Sequence, residues 1–132
     1  MDKDKITTNF YWNEAMCSDG TEVPTYLRSN AIRLANNLET LRFAMGGLPI
    51  RINSWYRTKE YNETLPMHSE HSQHLLAKAA DIWIKGVKPI TLYTVIEVLI
   101  RLRKINKGGL GIYNTFVHYD IGPEGRRWDY RK

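Results

Sequence analysis

The sequence predicts an α+β fold: a single domain over residues 1–132, with helices packed on a small, mostly antiparallel sheet. Three observations carry that expectation. Residues 29–45 and 89–102 place apolar side chains at helical spacing. Around them lie shorter apolar runs of strand length, at 48–54, 81–84, 110–113 and 115–121. No repeat or linker divides the chain, and 132 residues can bury a core without disulfides.

Residues 1–8 are polar and read as a frayed end. Residues 9–24 are aromatic and then polar, with Cys17-Ser18-Asp19-Gly20 marking a turn. The first long helix follows, with Ile32, Leu34, Ala35, Leu38 and Leu41 on its apolar stripe. Ser29 or Asn30 is its expected cap, and Gly46-Gly47 its stop. In the next run Ile50 and Ile52 alternate with Arg51 and Asn53, as a half-buried strand requires. Residues 55–65 are polar and partly helical at most, and Pro66 interrupts them. Asp81-Ile82-Trp83-Ile84 reads as a buried strand that Asp81 opens. Pro89 begins the second helix, carried by Val95, Ile96, Leu99 and Ile100. Two short strands then turn at Asn114, and a polar tail from Arg126 is anchored by Trp128.

The composition, 42% hydrophobic and 25% charged, is that of a soluble globular protein. No apolar run is long enough to span a membrane, and no hydrophobic signal region follows the polar start. Residence in the cytoplasm until release, another exit route or a trimmed mature form all fit that start. Cys17 is the one cysteine and is expected to pack in the core. The net charge of +5 favours anionic partners such as an acidic cell wall. Its densest run, Arg101 to Lys104, reads as the solvated end of a helix and not as a nucleic-acid patch, so no nucleic-acid partner is expected.

The chemistry-bearing residues are His74, Asp81 and His118. Two imidazoles and a carboxylate form a three-ligand set for zinc that leaves a fourth position open. Period-two alternation places His118 and Asp120 on the same side of their strand. Asp120 is then close enough to accept a proton from a zinc-bound water or to orient a ligand. If the strands of Asp81 and His118 are neighbours, the two residues converge. A metal would satisfy polar groups that are costly to bury unpaired. His68 and His71 are expected on a solvated loop.

Ser72-x-His74-x(6)-Asp81, followed by His118, resembles the zinc-peptidase group of D-Ala-D-Ala carboxypeptidases, murein endopeptidases, phage endolysins and the hedgehog signalling domain. The family pattern is Ser-x-His-x-x-Gly-x-Ala-x-Asp, and here Ala77 stands at the usual glycine. Asn53-Ser54-Trp55-Tyr56-Arg57-Thr58 is similar to the family's Ser-x-Tyr-Arg segment. Residues 109–113 and 116–122 are similar to the closing block of murein endopeptidases, and the likeness spans residues 9–128. It implies one Zn2+ ion held by His74, Asp81 and His118, with Arg57 binding the developing oxyanion or a substrate carboxylate. Several relatives place a glutamate base where this chain has Thr115; Asp120 is the natural replacement and His71 the second candidate. The implied activity is a zinc metallopeptidase hydrolysing peptide bonds of bacterial peptidoglycan. It would be a murein endopeptidase or D-Ala-D-Ala-type carboxypeptidase, such as a phage-associated lysin acting on the wall as a monomer. The alternative is a catalytically silent, zinc-containing binding or structural domain of the same fold.

Overall fold

The structure, a computed structural model, describes residues 4–132. The first three residues of the expected frayed end lie outside the described residues, and the remainder of that stretch is tied down. Lys5–Thr7 (β1) pairs antiparallel with Phe10–Tyr11 (β2). Asn9, beside that pair, donates from its backbone N–H and its side-chain amide to the two oxygens of Glu39, both at 2.7 Å. A short helix, Trp12–Ala15 (α1), and a buried Cys17 follow.

The first long helix, Arg28–Ala44 (α2), is entered from a 3-10 turn at Thr25–Leu27. Neither Ser29 nor Asn30 caps it, because the turn runs straight into helical backbone and makes Leu27 the N-cap. Asn30 instead donates to the Leu76 carbonyl at 3.0 Å, tying the helix to the segment that carries His74. Gly46 and Gly47, both at positive φ, end it as expected.

Next come Arg51–Ser54 (β3), Lys59–Glu63 (α3, capped by the Thr58 hydroxyl) and Ala79–Trp83 (β4). Pro89–Arg101 (α4) has its proline in the first turn, where the missing N–H costs nothing. Leu110–Ile112 (β5) and Val117–Asp120 (β6) form the expected antiparallel pair. The tail departs from expectation: Arg127–Asp129 (β7) is a strand, parallel to β5. Arg127 holds this edge by donating to Glu97 of α4 at 2.9 Å.

The main sheet has the order β3-β4-β6-β5-β7, so β4 and β6 lie side by side near its centre. Alternation gives the sheet two faces with different chemistry. Ala80, Ile82, Leu110, Val117 and Tyr119 join the core with Leu34, Leu38 and Leu41 of α2 and Leu92 and Ile96 of α4. The intervening positions, Asp81, Gly111, His118 and Asp120, belong to the other face, and there the functional groups collect.

Candidate metal centre

Asp81 does not open its strand. It sits at the middle of β4, directly opposite His118 of β6 in the antiparallel register. That pairing brings Asp81 Oδ1 to 3.0 Å from His118 Nδ1 and 3.3 Å from His74 Nε2. One ligand atom from each of the three residues lies within 4.8 Å of the others, and all three residues are buried. The arrangement fits a metal ion.

His74 reaches the cluster from a 3-10 turn, Gln73–Leu76, whose first N–H groups need a cap. Ser72 supplies it, accepting from the His74 N–H at 3.2 Å. Trp55 then fixes the turn twice. Its carbonyl faces His74 Nδ1 at 2.6 Å, and its indole N–H donates to the Ala77 carbonyl at 3.1 Å. A carbonyl only accepts, so His74 Nδ1 carries the proton and the Nε2 lone pair is left for a metal. Ala77 leaves the turn at φ 57°, in the left-handed region. The glycine usual at this position therefore has a backbone reason, and alanine accepts some strain there.

His118 is held in the same manner from its far side. Its Nε2 lies 2.7 Å from Asp120 Oδ2, which leaves Nδ1 facing Asp81. The other Asp120 oxygen, Oδ1, accepts from Gly109 N at 3.0 Å, from Gly122 N at 2.9 Å and from the Arg126 guanidinium. Asp120 is fully buried. Burial alone would push its carboxyl up, but the hydrogen bond and charge of His118, with Arg126 and Gly109, hold it at about 2. Of the two tasks that strand periodicity allows Asp120, this geometry matches the orientation of a ligand. Oδ1 holds three donors and Oδ2 faces His118, as in a group that fixes the ring of a ligating histidine.

Electrostatics follow from this arrangement. Burial lowers the pKa of His74 and outweighs the pull of Asp81. Burial opposes protonation of His118 as well, but its bonds to Asp120 and Asp81 outweigh that and raise it. Burial would raise Asp81, yet the two histidines hold it well below the usual carboxylate range. A cation placed among these donors would relieve the clustering of lone pairs.

Arg57 stands beside the ligands. It donates to Ser54 Oγ at 3.0 Å, to Asn62 Oδ1 at 3.4 Å and to Asp81 Oδ2 at 3.2 Å, so its guanidinium is anchored at the cluster. A cavity of about 450 Å³ opens over the ligands, lined in part by Arg57, His71, Tyr113, Arg126 and Trp128. His71 is exposed on its rim, and His68, also exposed, shares the same loop. Thr115 is exposed in the β5–β6 turn and does not line the cavity.

Sequence reasoning did not reach Tyr113 or Arg126, or the Trp55 carbonyl as a partner of His74. The glycine run carried part of that signal, since glycine in a strand marks close approach. A Cβ at Gly109 would run into the Asp120 carboxylate and Arg126, and one at Gly111 into the Trp128 indole. Trp128 takes that space and lies 4.9 Å, ring to ring, from His118. The family model described as Peptidase M15 matches residues 8–120. No curated protein matches the sequence.

Proposed function

Since this chain belongs to the Peptidase M15 family, we propose that it is a zinc-dependent peptidase cleaving peptide bonds of bacterial peptidoglycan. The observation that carries the reading is the convergence of His74 Nε2, Asp81 Oδ1 and His118 Nδ1, with the opposite nitrogen of each ring held by a separate partner. Donors of this kind and number suit a catalytic zinc with an open position. Zinc, when bound, supplies a Lewis acid for the scissile carbonyl and an acidified water.

The chain's own residues take the remaining tasks. Trp55 and Asp120 fix the two imidazoles in their ligating tautomers. Arg57, anchored on three partners, presents its remaining N–H groups to a substrate carboxylate or to oxygen that gains charge. His71 takes the proton: its ring makes no hydrogen bond among the described residues, and it lines the cavity. The overall positive charge suits an anionic wall.

A second reading, a zinc-holding domain without turnover, is favoured by one observation. Thr115 replaces the glutamate of several relatives, and Asp120 is engaged elsewhere. Release of amino groups from purified peptidoglycan, with chelator and then with zinc restored, separates the two. Zinc-restored cleavage is the expected result, and mass spectrometry of the fragments names the bond. A protein that holds one zinc and releases nothing would overturn the peptidase reading.

A further inference from the structure

Tyr113 follows β5 with the same parity as Gly111, which puts it on the face of the sheet that carries the metal centre. Its backbone N–H donates to the Phe116 carbonyl at 3.0 Å, closing the mouth of the β5–β6 hairpin. Its ring is fixed on two sides. Phe116 stacks on it at 4.3 Å and 9°, and Tyr130 meets it edge-on at 5.5 Å. The phenol oxygen is fixed as well, because Trp128 Nε1 donates to it at 2.9 Å. The same indole packs against His118. Tyr113, Trp128 and the three ligand residues all line one cavity.

Trp128 fills an acceptor position on the phenol, and no described residue receives the Tyr113 O–H. The group is an oriented donor with its proton unused. Burial raises the phenol, and although Trp128 lowers it, Asp81 adds to the rise, so the proton stays on at neutral pH. The sheet order places it usefully. Arg57 follows β3 and Tyr113 follows β5, while Asp81 on β4 and His118 on β6 lie between those strands. The two donors therefore flank the ligand pair from opposite sides.

We propose that Tyr113 is a catalytic hydrogen-bond donor of this site, its phenol O–H donating to the scissile carbonyl oxygen as that oxygen gains negative charge. The assignment rests on the peptidase reading. Donors preorganised toward such an oxygen act mainly in the transition state, so they raise kcat more than they lower KM.

The test compares the zinc-loaded full chain with Y113F, using a wall-peptide fragment as substrate and a phosphinate dipeptide as a tetrahedral anionic probe. Y113F is expected to lose about 10²-fold in kcat, with KM and zinc content unchanged, and to bind the phosphinate about 10-fold or more weakly. W128F keeps the phenol and removes the donor that orients it; its kcat falls by a smaller factor. Wild-type kcat and phosphinate affinity in Y113F would overturn the proposal. So would loss of zinc or of folding in parallel with activity, because the phenol would then be structural. Wild-type protein that holds zinc but neither cleaves wall peptide nor binds the phosphinate would overturn the peptidase reading, and this assignment with it.

Discussion

Replacing Asp120 by asparagine separates its two candidate tasks. In the native site Oδ1 receives Gly109 N, Gly122 N and Arg126, while Oδ2 faces His118 Nε2 at 2.7 Å. Three donors around one atom require an acceptor there, so the asparagine carbonyl takes the Oδ1 position and its NH2 takes that of Oδ2. The NH2 group then faces His118 Nε2 as a donor and makes that nitrogen the acceptor. The proton moves to Nδ1, the atom 3.0 Å from Asp81 and the one offered to the metal. A protonated nitrogen cannot ligate. Loss of such an orienting partner weakens metal affinity about 10- to 100-fold, or about 1.4–2.7 kcal/mol. The assay is competition for zinc against chelators of graded affinity, with thermal melting to confirm the fold. If Asp120 were the proton acceptor, D120N would lose turnover and keep its zinc affinity. Unchanged affinity would refute the orientation argument.

Substitutions at three further positions test the scaffold. Gly111→Ala puts a methyl into the Trp128 indole, and the shift this forces is expected to cost about 1–3 kcal/mol and to reduce activity; an unchanged melting temperature would contradict the packing. Ala77→Gly relieves about 1–2 kcal/mol of left-handed strain. Against that stand about 0.5–1 kcal/mol of added chain entropy and about 0.8 kcal/mol for one buried methyl. The net change in denaturant unfolding should stay within about 1 kcal/mol, while Ala77→Val, branched at the same φ, should lose more. Glu39→Gln replaces one of the two carboxylate oxygens that accept from Asn9 with an NH2 donor, leaving one Asn9 N–H without its acceptor, and is expected to cost about 1 kcal/mol at neutral pH. Burial would raise the Glu39 carboxyl, but the hydrogen bonds from Asn9, with the Thr7 hydroxyl nearby, outweigh that and lower it. Its contribution is therefore present above the ordinary glutamate pKa and lost as pH falls through the lowered folded value. The gap in melting temperature between wild type and E39Q should close in acid.

The two long helices were legible because their apolar stripes repeat within a single segment. α2 and α4 follow directly from Leu34, Leu38 and Leu41 and from Ile96, Leu99 and Ile100. Several strand bounds and the polar strands were not. Ala79 and Ala80 carry no strand signal of their own, yet pairing with Asp120 and Tyr119 draws them into β4 and moves Asp81 to its middle. Arg127–Asp129 is polar and becomes a strand only through its parallel register with Leu110–Ile112. Lys5–Thr7 likewise forms β1 only by pairing with Phe10–Tyr11. In each case a partner distant in sequence, or across a turn, supplies what local propensity lacks.

The same division runs through the site. Period-two alternation places His118 with Asp120, and adjacency of two strands brings Asp81 to His118; both follow from rules of the sheet. What each group does depends on atoms that loops bring from elsewhere. Gly109, Gly122 and Arg126 reach Asp120 from three separate positions and engage Oδ1, while Oδ2 faces His118. Tyr113 is similar: its value as a donor comes from Trp128, which reaches it only because β7 pairs with β5 and Gly111 leaves room for the indole. A glycine at 111 thus shapes the site although it carries no functional group. Filling that space should alter Tyr113, His118 and Trp128 together, whereas Y113F should remove only the bonds of the phenol oxygen.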